Sequence, residues 1–235
     1  MQQPESILDI LRDAVAAMPV TVEIKDVIDN NTSYTLHVCN PLHAQPGFKT
    51  VINGVTYRIT EVTPETITVT GSVVPVVGEF ELYRPFFYHG TPIATNTELQ
   101  KERNASNKTP MVWLLRPFKE RYHNGGAYER HTTLRLFFLT QADHALWLTD
   151  QADDEAIQPM RRLLFHFLNH LATFKDSECQ RVFDITNLDY DVTEYAKFGV
   201  YLNNNVDKSL FADQLAGVEL SAVLPLYRRK HCKKC

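Results

Sequence analysis

The spacing of hydrophobic positions changes character several times along this chain. Behind Ser6, the residues Ile7, Ile10, Leu11, Ala14, Val15 and Met18 recur at helical intervals. They predict a helix over about 6–18, with Ser6 as N-cap, Asp9 completing a partial capping box, and Pro19 as its stop. From 20 to 88 the period drops to two. Val20, Val22 and Ile24 alternate with Thr21, Glu23 and Lys25, and Tyr34, Leu36 and Val38 repeat the alternation. Asn53-Gly54 separates 50–52 from 55–59 and signals a hairpin, because both residues tolerate positive φ. Runs at 66–70 and 79–83 extend the set, so about five short strands point to a small barrel or sandwich.

Residues 89–110 then lose all pattern and become polar. Beyond them, 111–115 reads as a buried strand, 116–131 as a charged excursion with Gly125-Gly126 at its tip, and 133–139 as a second strand. The strongest amphipathic signal follows. Ile157, Met160, Leu164, Phe167, Leu168 and Leu171 make one stripe of a helix over about 154–172. Asp153, Asp154 and Glu155 stand at its start, where the macrodipole favours negative charge. Runs at 181–185, 198–202 and 218–224 read as further strands. The expected fold class is α+β: a mostly antiparallel sheet with one long packing helix, plus an inserted small β-barrel or sandwich module. The N-terminal helix belongs with the second half. Residues 1–19 and 110–227 are then the body, 20–88 the inserted module, 89–109 an extended connector arm that folds only against a neighbouring subunit, and 228–235 a basic tail.

Composition adds bounds. Of the 235 residues, 44% are hydrophobic and 22% charged, which is ordinary for a globular chain with enough apolar material for a core. The net charge of −4 conceals an asymmetry. Residues 228–235 hold five of the 24 Lys and Arg and no acid, so the other 227 residues carry 19 basic against 28 acidic groups. An acidic body argues against broad non-specific DNA binding. Four cysteines, Cys39, Cys179, Cys232 and Cys235, are too few for a disulfide framework and fit a reducing compartment. Glu5 and Asp9 stand where a signal peptide carries Lys or Arg, and no apolar run reaches membrane-spanning length. A soluble product made in the cytoplasm is expected.

The candidate chemistry is sparse. His166 and His170 share a helix face with Arg162, opposite the apolar stripe; their i, i+4 spacing could hold a metal, but a surface facing solvent or another subunit is the simpler reading. His231-Cys232-Lys233-Lys234-Cys235 contains a Cys-x-x-Cys, and the expectation is a flexible tail, with a half-site completed by another subunit as the alternative. Asp150, Asp153, Asp154 and Glu155 are explained by helix polarity, and Asp184, Asp189 and Asp191 as turn residues. No nucleophile motif, phosphate-binding loop or dinucleotide fingerprint occurs, so neither an enzyme nor a cofactor is expected. The excursion interleaves Arg116, Phe118, Lys119, Arg121, Tyr122, Tyr128 and Arg130. Such residues contact phosphates or, more readily here, a protein partner, and Arg116, Phe118, Arg121, Tyr122, Tyr128 and Arg130 are the candidate assembly interface.

From Pro110 the order is a strand after Thr-Pro, a polar loop, a second strand, a long helix containing Pro-Met and Leu-Leu-Phe-His-Phe-Leu, then several strands closing on Leu215-Ala216-Gly217-Val218-Glu219-Leu220. With the N-terminal helix, this resembles the tail-terminator and tail-completion proteins of the head–tail neck of tailed bacteriophages. The close of the chain is also reminiscent of phage-type proteins from Bacteroidetes. The resemblance covers 5–18 and 110–227 and consists of element order and spacing; the module at 20–88 departs from it. It implies a virion protein of the tail and neck, a homo-oligomeric ring, commonly hexameric, that caps the tail tube and joins it to the head connector. Its partners are the tube protein and neck proteins; genome DNA passes the lumen without specific binding, no membrane is involved, and no residue is catalytic. Another neck or baseplate ring subunit is the nearest alternative. A nucleic-acid- or carbohydrate-binding module using Tyr34, His37, Tyr57 and Arg58, and a metal-dependent hydrolase using His166 and His170, are competing classes.

Overall fold

The computed structural model describes residues 6–101, 108–144, 150, 153–175, 180–204 and 206–227. Helix α1 (Ile7–Ala17) starts where Ser6 Oγ accepts the Leu8 amide at 3.2 Å, and it ends before Pro19. Its Ile7, Ile10, Leu11, Ala14 and Val15 are buried, as their spacing predicts.

Six strands follow: β1 (Thr21–Asp29), β2 (Tyr34–Val38), β3 (Lys49–Ile52), β4 (Val55–Val62), β5 (Thr66–Thr70) and β6 (Gly78–Glu81). All pair antiparallel in the order β3-β4-β5-β2-β1-β6. The sheet curls until the Thr50 hydroxyl of β3 reaches the Glu81 carbonyl of β6 at 3.5 Å, so the module is a nearly closed barrel. Asn53 (φ 49°) and Gly54 (φ 81°) make the β3–β4 turn. Inward-facing Val22, Ile24, Leu36, Ile52, Ile59, Ile67, Val69 and Phe80 fill the interior.

The body contains β7 (Phe86–Gly90), α2 (Pro92–Lys101), β8 (Met111–Leu115), β9 (Lys119–Tyr122), β10 (Tyr128–Gln141), a π-helical turn (Asp153–Ile157) leading into α3 (Gln158–Thr173), β11 (Tyr190–Phe198), the hairpin β12 (Val200–Asn203) and β13 (Val206–Ser209), and β14 (Leu215–Tyr227). Its sheet runs β11-β14-β10-β8-β7, with β9 also on β10. Only β7–β8 is parallel among the described pairs, and α2 lies in its crossover. Helices α1 and α3 cover one face through Val112, Leu114, Leu134, Leu136, Phe138, Val218, Leu220 and Leu224. The other face carries a smaller core of Leu99, Met111, Trp113, Phe137, Leu139, Phe198, Phe211 and Leu215. The molecule is α+β, mostly antiparallel, with a barrel module, as expected.

The connector differs from the expectation of an extended arm over 89–109. Residues 86–90 are a strand of the body's sheet, and 92–101 are helical. The expected module boundary at 88 therefore falls inside β7. Helix α2 left no amphipathic signal because it buries only Thr95 and Leu99. The expected strand at 181–185 is reduced to isolated bridges, Lys175 to Arg181 and Phe183 to Leu226. Asp191, expected in a turn, lies in β11.

The insertion is closed at its neck. The Leu82 amide donates to Val20 O at 3.0 Å, and Arg84 Nη1 donates to Ala16 O at 2.9 Å and Met18 O at 3.0 Å. Arg84 thereby satisfies carbonyls that the end of α1 leaves open.

Gly217 sits in β14 at φ 152°, where an added Cβ would lie 2.0 Å from Phe138 O. Gly217→Ala must push β14 away from β10. It is expected to cost about 3 kcal/mol or more, read as a lower denaturant midpoint. An unchanged midpoint would show that the strands are not in such close contact.

Candidate functional site

The polar face of α3 is half-buried rather than fully solvent-facing. Arg162 Nε donates to Leu42 O at 2.7 Å and Nη2 to Ala44 O at 3.4 Å, both on the loop between β2 and β3. His166 Nε2 donates to Pro19 O at 2.6 Å. Loop residue His43 is buried and donates from Nε2 to Tyr83 O at 2.7 Å, which leaves Nδ1 as an acceptor with no partner. Thr140 of β10 donates to Gln45 Oε1 at 2.7 Å. Side chains of the body thus grip main-chain carbonyls of the module, and such partners leave no trace in a hydrophobic pattern. Burial lowers the pKa of Arg162. It also lowers that of His170, with the His166 charge adding to the effect. His166 is committed to Pro19, His170 packs on Phe174, and among the described residues no group of three metal-ligating side chains occurs. The metal-dependent hydrolase reading therefore has no assembled centre in the described residues.

Of the four residues of the binding-module reading, the two tyrosines are buried, while Arg58 is exposed and His37 half-buried. Tyr57 is only 2% exposed and meets Tyr34 edge to face inside the barrel, with ring centroids 6.4 Å apart, so neither ring presents a stacking surface. The Tyr57 hydroxyl donates to Val73 O at 2.9 Å and anchors the loop between β5 and β6. That loop turns Val73, Val74, Val76 and Val77 outward.

The excursion 116–131 resolves into the β9–β10 hairpin, and its candidate residues part company. Arg130 is 2% exposed; its guanidinium lies 3.2 Å from the Glu120 carboxylate, donates to the Tyr122 hydroxyl at 3.1 Å and stacks over the Tyr122 ring. It holds the hairpin together and is corrected from an interface residue to an internal one. Tyr128 is also tied inward: its hydroxyl donates to Asp184 Oδ2 at 2.6 Å, and its ring stacks on Tyr227. That bond lowers the Asp184 pKa, and Asp184 does more than form a turn. Arg116, which lies over the Phe118 ring, Arg121 and Tyr122 remain accessible. Cys232, Cys235 and Cys179 lie outside the described residues.

Two features escaped the sequence reading. Glu219 is buried on the sheet face away from α1 and α3 and gathers Arg135 (through Nε and Nη2), the Tyr195 hydroxyl at 2.6 Å and the Ser221 hydroxyl at 2.9 Å, tying β10, β14 and β11. Burial opposes its ionisation, but these donors outweigh burial and its pKa is lowered. The second feature is the β12–β13 hairpin, which forms a sheet of its own and exposes Tyr201, Leu202 (to 73%) and Val206, with Leu210 exposed just after it. Exposed apolar residues gathered on and beside a two-stranded ribbon are a candidate contact surface.

Comparison with protein-family models, with curated proteins and with solved structures finds no match. No described helix is long and apolar enough to cross a membrane.

The junction has a pH signature. Burial, opposed by the bond to Tyr83 and reinforced by the nearby His166 and Arg162, pushes His43 down to about 4. Unfolded, it titrates near its ordinary 6.5. The folded chain binds that proton less readily, so this stability is complete above about pH 6.5 and is lost as pH falls from 6.5 toward 4. The loss amounts to about 3 kcal/mol. His43→Gln is expected to flatten the dependence of the melting temperature on pH over that window relative to the wild type. Equal slopes would remove His43 as the cause.

Proposed function

We propose that this chain is a structural virion protein of the head–tail interface of a tailed bacteriophage, closest in role to a tail terminator, acting as one subunit of a homo-oligomeric ring. The observation that carries the reading is the β12–β13 hairpin with its exposed Tyr201, Leu202 and Val206 and the exposed Leu210 that follows it. An isolated two-stranded ribbon is marginal in water, and an exposed apolar patch of this kind marks a protein contact. Its occupant is a neighbouring copy of the chain.

Several features support the assignment. The body has one sheet with α1 and α3 on the same face, and the element order from β8 to β14 follows the order on which the phage resemblance rests. The side chains grouped at the module–body junction are engaged in holding the two parts of the chain together. The barrel module, gripped by α3, carries Val73, Val74, Val76 and Val77 as a second apolar surface, suited to the next protein along the tail. In this role the acidic body keeps the DNA passage free of tight binding.

Native mass spectrometry of the full chain, alone and with tube protein, tests the reading. A discrete ring is expected in at least one of the two conditions. Leu202→Asp with Val206→Asp is expected to dissociate it to monomer while circular dichroism is retained, since both side chains are exposed in the subunit. A wild-type chain that stays monomeric in both conditions would overturn the proposal, and so would a ring that survives the double substitution.

A further inference from the structure

The two ends of β10 carry opposite charge. Near its start, β9 lays Lys119 against Thr133 and Arg121 against His131. Both cations are exposed, and the ion pair within this hairpin is that of Arg130 with Glu120. Residues 116–131 hold four Lys or Arg against two Glu, an excess of two positive charges in a body that is otherwise acidic.

At its other end, β10 runs into an open cleft of about 510 Å3, walled by residues 45–48 of the module, residues 141–143, Glu155 and residues 212–214. Asp143, Glu155 and Asp213 line it. Lys108 neutralises Asp213 through two bonds of 2.7 Å, and the cleft keeps a net negative charge. Gln45 adds a second demand. It lines the same cleft while only 4% exposed; its Oε1 accepts from Thr140 at 2.7 Å, and its amide nitrogen donates to no described residue. A buried donor in that position calls for an acceptor from outside. The cleft therefore suits a group that brings cations and a carbonyl together.

Hairpin and cleft cannot meet within one chain. His131 and Gln141 stand ten residues apart on one strand, about 33 Å at 3.3 Å per residue and several times the reach of an arginine side chain. The cations can reach such a cleft only on another molecule. The wall at 212–214 begins three positions after β13, so the cleft adjoins the apolar ribbon assigned above to a neighbouring copy. The hairpin tip fits the role: 124–127 are exposed, and an added Cβ at Gly125 or Gly126 would meet nothing within 4 Å, so a slender turn presents its main-chain carbonyls.

We propose that the β9–β10 hairpin of one copy docks head to tail into this cleft of the next. Arg121 and Lys119 meet Glu155 and Asp143, and carbonyls of the tip accept from Gln45. The two surfaces differ, so the contact is heterologous, and its repetition closes a ring when the rotation between copies permits. The inference rests on the self-association proposed above and adds which surfaces meet.

The test is native mass spectrometry of the full chain and of two variants, Arg121→Glu and Glu155→Lys, under the condition in which the wild type assembles. Circular dichroism should be retained, since neither residue belongs to a core. Each variant alone brings like charges together and is expected to need about tenfold more protein to assemble, or to stay dissociated. Mixed in equal amounts, the two variants should assemble again, with equal numbers of both, because every hairpin then meets a cleft of opposite sign. Hydrogen exchange of the wild type gives a readout that needs no variant: amides at 121–127 and at 212–214 should gain protection together on assembly. An assembly indifferent to both substitutions, or a mixture that stays dissociated, would overturn this docking and leave the ring reading standing. A wild type that stays monomeric would overturn both. Protection at 212–214 on adding tube protein, without protection at 121–127, would assign the cleft to that protein and overturn self-docking.

Discussion

Everything in the body depends on the pairing of β10 with β14. The ladder runs from Tyr128 against Tyr227 to Gln141 against Leu215, and it has a core on each side. On one face Leu134, Leu136 and Phe138 of β10, with Val218, Leu220 and Leu224 of β14, receive α1 and α3. On the other, Phe137, Leu139 and Leu215 meet Trp113, Phe198 and Phe211. Side chains alternate faces with period two, so a slip of one residue would exchange both cores at once. The close approach at Gly217 and the Glu219 cluster fix the register against that slip. The first does so by sterics. The second does so by charge-assisted bonds that reach across three strands.

The barrel is an insertion that the body tolerates because it returns the chain to where it left. Val20 and Leu82 meet at the neck, and Arg84 closes the end of α1. The body then grips the module again through Arg162, whose donors end on backbone oxygens of residues 42 and 44, while His166 holds the Pro19 carbonyl where the chain enters the module. The junction between module and body is polar, with donors of α3 ending on main-chain carbonyls.

Most of the architecture could be read from periodicity. The α1 stripe, the Asn53-Gly54 turn, the β10 alternation and the α3 stripe each express one dominant physical demand, and each is found where the pattern put it. Three parts were not legible. Helix α2 buries two residues and shows no face. Strand β11 is largely exposed, so its alternation carries no hydrophobic contrast. The junction is made by Arg162 and His166, which read as surface groups because their partners are backbone carbonyls, and by His43, which no pattern marked. Arg130 misled for the same reason: a guanidinium is buried when Glu120 and Tyr122 meet it, and nothing in the local sequence marks the pairing.

A fold that depends on the β10–β14 ladder opens that ladder last, with module and body gripped together around it. Native-state hydrogen exchange across a denaturant series measures this directly. Amides of Leu134, Leu136, Phe138, Val218 and Leu220 should exchange only through global unfolding, with the β12–β13 amides opening first and the barrel amides between these limits. If the barrel proved the most protected unit while β10 and β14 exchanged by a cheaper opening, the ladder would not be the element on which the fold depends.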